Sequence, residues 1–354
     1  MKIDCNLTVN QNNLMSQTQS ILETTVVHYE SFNDPSQATI IMGIRGVTGS
    51  ENVYVSGTSA TGMVNGLLYE GSLAGGGSNG TWYELHYTSA GIDDVTSTSC
   101  YGPNNGPGDN VQIVGAYVRS STGKKNHGFY YEGPKDGTGT WITVSPNGGD
   151  TNNVFIHSVM GRLAVGNYDF GNNENGRAFI YDTHTKMCTD FMVPDSLTTT
   201  LYGIWHNGGN SYTLAGGYSA EKAGELSQAF LVDYDAESKT TSNLKSFSYN
   251  NEKILSVITH FEGITIADDD GYNMPADWLN VKGGPKGGAA FVSVKRNQDG
   301  SFGEANWVDI AYPGAEVTSA NTAYRNNILG IYVTSDGSGT TATMSYCATV
   351  AGVK

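Results

Sequence analysis

Apolar residues run along this chain in short bursts: VYVSG (53–57), VQIVG (111–115), RLAVG (162–166) and YTLAG (212–216). Each ends in a small residue and gives way to polar, glycine-rich sequence. Bursts this short, rich in Val, Ile, Tyr and Thr and bounded by turn formers, predict strands. Only residues 11–23 carry any helical period, so the chain reads as nearly all β.

The bursts repeat in a fixed order. The phrase NGLLYEGS (65–72) returns as NHGFYYEGP (126–134). It then recurs in weaker form at Ala178-Phe179-Ile180-Tyr181, Ala229-Phe230-Leu231-Val232, Ala290-Phe291-Val292-Ser293 and Thr343-Met344-Ser345-Tyr346. Ahead of each copy stands a burst closed by Gly57, Gly115, Gly166, Gly216, Ala267 or Gly330. A third element precedes those, at IIMGIRG, SCYGP, VFIHS, YGIWHN, VITHFEG and ANTAYRN, and a variable fourth one follows the phrase, as in TWYELHYT and TWITVSP. A unit of roughly fifty to sixty residues with four short strands has the make-up of a propeller blade, whose sheet is covered by its neighbours around a ring.

Six copies predict a six-bladed β-propeller of four-stranded blades. The last copy stops after its third strand, and an extra β-like segment, TTVVHYES (24–31), stands before the first. That segment is expected to complete the last blade and remove a free edge. Residues 1–23 are then an extension and 24–354 a single propeller. The repeated anchors read as packing: the small residue for close approach of blades, the aromatic for the space between sheets. Tyr117, Tyr168, Tyr218 and Tyr332 recur two positions after the glycine, where they either stack between blades or line a binding mouth.

The units resemble bacterial extracellular repeats in which a His-Ala-Phe tripeptide opens the third strand, with departed versions in NHGFYYEG, GRAFIYD and SQAFLVD. That resemblance implies the propeller and no activity. A glycine-rich propeller of this length with sequons and no cofactor motif is also similar to the fungal hetero-Diels-Alderases. That similarity implies a cofactor-free reaction on a small molecule, with no diagnostic motif to carry it.

Composition narrows the partners. A formal charge of −15 with 19 basic residues argues against nucleic acid and anionic membranes, which need a cationic footprint. No apolar run approaches a membrane span, and Met1-Lys2 opens into polar sequence, as in a chain without a signal peptide or a mature secreted chain behind an added Met. Sequons at Asn6 and Asn79 point to the secretory pathway. Cys5, Cys100, Cys188 and Cys347 lack metal-ligand spacing; they are either buried apolar residues or partners in up to two disulfides.

No nucleophile elbow, phosphate loop, dinucleotide fingerprint or zinc-protease motif is present, so no cofactor and no metal is expected. Propeller ligands meet the inner strands and the loops at one face. Topology therefore nominates His157, His206, His260 and Arg45 as catalytic candidates, and Tyr101, Trp205, Phe261, Tyr324 and Arg325 as binding residues. The three histidines could bind a metal if the channel is narrow, serve as acid–base or polarising groups, or be structural residues bonded to backbone or water. Asp268-Asp269-Asp270 fails as a calcium loop because Ile266 stands where the first carboxylate belongs. Residues 271–288 read as a long connection between a second and a third strand, a binding loop carrying Tyr272 and Trp278. The composite expectation is a cofactor-independent cyclase, isomerase or lyase of secondary metabolism acting on a small apolar or weakly anionic molecule. A carbohydrate-binding propeller or an interaction scaffold is the alternative, and six equivalent shallow grooves would favour the lectin.

Overall fold

The computed structural model describes residues 25–59, 64–146, 151–170, 173–220, 227–252, 257–267, 270–281, 286–335 and 340–352. The expected extension, Cys5 and Asn6 lie outside them. After β1 (Thr25–Ser31), blade 1 comprises β2 (Thr39–Gly46), β3 (Val53–Ser59), β4 (Gly66–Gly71) and β5 (Gly80–Leu85). Blade 2 follows with β6 (Val95–Asn105), β7 (Val111–Arg119), β8 (Asn126–Gly133) and β9 (Thr140–Val144). Blade 3 is β10 (Thr151–Met160), β11 (Leu163–Phe170), β12 (Asn173–Asp182) and β13 (Met187–Phe191). Blade 4 is β14 (Ser196–Gly208), β15 (Ser211–Ala220), β16 (Gln228–Asp235) and β17 (Thr240–Phe247).

Blade 5 has a divided inner strand, β18 (Val257–Phe261) and β19 (Thr265–Ile266), both paired to β20 (Gly271–Asn280), then β21 (Lys286–Arg296) and β22 (Phe302–Ile310). Blade 6 is β23 (Val317–Tyr324), β24 (Asn327–Ser335) and β25 (Thr341–Ala351), completed on its outside by β1. All six sheets are antiparallel meanders, and the N-terminal strand closes the ring as the repeat count requires.

Two sequence expectations change in blade 5. Residues 271–280 are not a loop but the second strand, with Tyr272 and Met274 buried in the core. The burst ending at Ala267 is the tail of the inner strand, and Ala276 takes the position of the other blades' small residue.

The core lies between blades. Each of six apolar clusters joins one blade to the next, and the last, around Phe32, Tyr69 and Leu329, seals blade 6 against blade 1. The tyrosines after the glycine pack in these seams. Tyr117 stacks on Tyr87 at 3.8 Å and Tyr332 on Tyr312 at 3.8 Å. Trp278 does the same on Tyr249 at 4.1 Å. The acidic residue of the repeated phrase is also structural: Glu70 pairs with Lys135 and Asp233 with Arg296, each across to another blade. Cys100, Cys188 and Cys347 are free thiols, which settles these three against disulfides among the described residues.

The small residue closing each second strand has a more local purpose than letting blades approach. It faces a β-bulge in its own inner strand. A Cβ on Gly115 would stand 2.0 Å from the Ser99 carbonyl oxygen, and one on Gly216 would stand 1.9 Å from that of Thr200. Gly57, Gly166 and Gly330 meet the equivalent carbonyls of Ile40, Phe155 and Ser319. Gly216→Ala is expected to cost about 1–3 kcal/mol through backbone displacement, read as a lower urea midpoint. A midpoint equal to wild type would show that the bulge relaxes freely.

Candidate functional site

The bulges build the axis. In five inner strands the register slips by one residue, between Ile41 and Gly43, Cys100 and Gly102, Ile156 and Ser158, Leu201 and Gly203, and Ala320 and Thr322. In blade 5 the strand breaks at the same place, where the Glu262 N–H donates to the Pro275 carbonyl at 2.9 Å. The residue skipped in each blade, Met42, Tyr101, His157, Tyr202, Glu262 or Asn321, is part-exposed, whereas the residue before it is always buried. Bulges re-aim side chains, and here all but Asn321 line a cavity on the common axis. This is one ring position filled by five kinds of side chain in six blades, so the centre is asymmetric although the frame repeats.

The ring is tight. Gly43 lies where a Cβ would meet the Tyr101 carbonyl oxygen at 1.8 Å, and Gly102 stands likewise 2.7 Å from that of His157. Glycine after the bulge thus lets neighbouring inner strands touch through backbone. The axial cavity that remains, lined by Met42, Arg45, Tyr101, His157, Tyr202, Glu262 and Thr322 among others, has about 20 Å³, room for one or two water-sized species. One end is crossed by Arg45, buried, whose guanidinium lies 5.3 Å from the Trp205 ring of the opposite blade.

Burial sets the electrostatics. The His157 imidazole is pushed down to about 4 by desolvation, against a 2.6 Å hydrogen bond with Asn167 Oδ1. His260 is also lowered by burial. Burial and the neighbouring Asp277 charge hold Glu262 well above the ordinary carboxyl range. Asp277 is raised to about 6 by burial, despite accepting hydrogen bonds from Ser319 Oγ at 2.5 Å and the Ala320 N–H at 2.9 Å. It stands opposite His260 across the β18–β20 ladder.

Asp277 links the axis to a larger space. A cleft of about 570 Å³ opens between blades 5 and 6, lined by Asp277, Trp278, Lys286, Ile310, Val317 and Ser319 among others. That volume lies in the range of small-molecule sites. Trp278 supplies an aromatic wall and Val317 an exposed apolar one, while Lys286 brings a cation to the rim. The cleft belongs to one seam.

The residues nominated from sequence separate into groups. Tyr101, His157 and Arg45 share the axial cavity, and His260 lies near it, with its ring 6.4 Å from that of Tyr202. Trp278 lines the cleft. His206 is elsewhere: its Nε2 pairs with the Gly209 carbonyl at 2.9 Å and its ring stacks on Tyr212. Phe261 is fully buried in the seam between blades 4 and 5, and Tyr272 is tied up by Thr213, Asn207 and Arg296. Tyr324 packs at Gly46 with Arg325 over its ring at 5.2 Å, outside both cavities. Trp205 touches the axis through Arg45 alone. Reading the inner strands with the bulge would have found Tyr202 and Glu262; Asp277 carried no local signal because it sits in what looks like a loop. Among the described residues no group of three His, Cys, Asp or Glu side chains gathers to hold a metal, and no helix is long and apolar enough to cross a membrane.

No family model and no curated protein matches the chain. Among solved structures it is similar to a PL25 ulvan lyase, at 10% identity and TM-score 0.46 over 92% of this chain and 85% of that one. It is also similar to an exo-β-1,3-galactanase from Phanerochaete chrysosporium, at 16% identity and TM-score 0.43 over 79% and 70%. A GH43 endo-arabinanase from Bacillus licheniformis matches at 10% identity and TM-score 0.42 over 89% and 96%. None of the three is a His-Ala-Phe protein or a Diels-Alderase.

Proposed function

We propose that this propeller is a cofactor-independent enzyme that moves a proton on a small organic molecule seated in the cleft between blades 5 and 6, as an isomerase, lyase or cyclase. The observation that carries the reading is Asp277, a carboxyl raised to about 6 that lies at once on a substrate-sized cleft and beside a second carboxyl, Glu262, whose charged form burial disfavours. An acid–base group works best when its pKa lies near the working pH, and such a group contributes about 10²–10⁴-fold. Asp277 fits the base or shuttling role. Burial disfavours the charged forms of Glu262, His157 and His260, which leaves Arg45 as the cation of the adjacent axis. Trp278 and Val317 hold an apolar face, and Lys286 is placed to attract a weakly anionic substituent at the rim.

A hetero-Diels-Alder reaction requires no proton transfer, so the paired carboxyls would have no task in it. Proton-transfer chemistry uses them. The test is solvent exchange: the protein is incubated in D₂O with a panel of enolisable ketones, hydroxy acids and uronates, and deuterium uptake is followed by NMR. Wild-type protein is expected to label at least one class, and Asp277→Asn to slow the labelling by about 100-fold or more. Equal labelling by both would remove Asp277 from the chemistry.

A further inference from the structure

Arg45 is an anomaly that proton-transfer chemistry leaves unexplained. It stands at the end of β2, 8% exposed, and lines the axial cavity. Its Nε is buried without a hydrogen-bond partner, and no hydrogen bond or ion pair engages its guanidinium among the described residues. Its one strong contact is the Trp205 ring. A buried cation is normally compensated by a carboxylate, because an uncompensated one carries a desolvation cost of several kcal/mol. Desolvation alone lowers Arg45 to about 10, with no charged neighbour offsetting it.

The obvious partner, Glu262, lines the same cavity but makes no ion pair with Arg45, and its burial beside Asp277 favours the protonated form. Around the same space stand the Tyr101 and Tyr202 side chains, the Thr322 hydroxyl and His157, whose Nε2 is committed to Asn167. The wall therefore offers one permanent cation and several groups able to donate hydrogen bonds, and its one acid, Glu262, makes no ion pair with that cation. The free volume is about 20 Å³.

We propose that the axial cavity is an anion site, in which Arg45 binds a singly charged group of one to three atoms. A halide ion and a small carboxylate share that chemistry, and the bulk of a sugar acid does not fit. The bound anion supplies the missing counter-charge for Arg45 and locks the six inner strands around it. The proposal does not rest on the proton-transfer reading, since it needs no reaction in the cleft and no proton moved by Asp277.

Thermal unfolding at constant ionic strength tests it, with sodium gluconate, too bulky to enter, as reference and sodium chloride or formate as probes. The wild-type midpoint is expected to rise by at least ~2 °C in one of them, and Arg45→Met to show no such rise. Chloride acting alone identifies a free halide site; formate acting alone identifies a carboxylate site. A rise of the same size in Arg45→Met would place the effect elsewhere and overturn the proposal, as would equal midpoints in all three salts. Should Arg45→Met fail to fold, wild-type crystals grown in bromide or soaked in formate decide the matter. Anomalous or difference density within hydrogen-bonding distance of the Arg45 guanidinium supports the site, and its absence under both conditions overturns it.

Discussion

Glu262→Gln and Asp277→Asn are expected to make the protein more stable at pH 8 and, if proton transfer is its chemistry, to slow it by about 100-fold or more. The two effects share one cause. An acid whose folded-state pKa is raised holds its proton more tightly when folded than when unfolded. The stability contributed by the protonated form is fully present below the ordinary pKa and is lost as pH rises through the raised value. For Asp277 that window runs from its ordinary 3.8 to about 6, and above it the loss is complete. The amide never ionises, so it escapes the loss, which amounts to as much as about 3 kcal/mol for a shift of this size.

Denaturant midpoints at pH 4 and pH 8 separate the alternatives. Near pH 4 the wild-type carboxyl is mostly protonated and the variant should gain little; at pH 8 it should gain most of the difference. A gain independent of pH would mean that the substitution changes packing rather than charge. The hydrogen bonds from Ser319 and Ala320 partly hold down the pKa of Asp277, so Glu262→Gln, whose carboxyl has no such donors raising its acidity, is the cleaner variant.

The frame was legible in the sequence because each blade solves the same problem with the same residues. Glycine opposite a bulge recurs in five blades and an acid at the end of the third strand in the first four. Gly57, Gly115, Gly166, Gly216 and Gly330 could be counted without knowing what they face. The outer closing strand followed from counting alone. The centre resists such reading, since the bulge shifts the inward position by one residue and a strand's period of two then misassigns the face. That shift is why His206 was grouped with His157, although the residue equivalent to His157 in blade 4 is Tyr202. In blade 5 the inner strand divides at Glu262, and its remainder, Thr265–Ile266, imitates the start of a second strand. The true second strand, carrying Pro275 and flanked by glycines, then imitates a loop. Asp277 was hidden by that exchange: the blade that departs most from the repeat is the one that carries the paired carboxyls.

Removing residues 1–32 is expected to cost more than any single substitution in the frame, with a midpoint lower by at least ~10 °C. The deletion strips β1 from β25, leaving the outer ladder of blade 6 unpaired from Tyr346 to Ala351. It also removes Phe32, fully buried, whose ring packs 5.4 Å from Tyr69 and 6.2 Å from Trp82 in blade 1. A buried Phe alone is worth about 3–5 kcal/mol. Ser345 shows how the closure is tied: its carbonyl accepts the Phe32 N–H at 2.9 Å, while its Oγ donates to the Thr39 carbonyl at 2.7 Å and accepts the Ile41 N–H at 2.9 Å. One residue of blade 6 thus fastens the N-terminal strand to the inner strand of blade 1. The bared β25 edge should also pair with other chains, so light scattering should show association that grows with protein concentration. A synthetic peptide of residues 24–33 should restore the midpoint by adding back as a strand. A truncated protein that melts within about 2 °C of the full chain, and that ignores the peptide, would mean that the six blades close without the N-terminal strand.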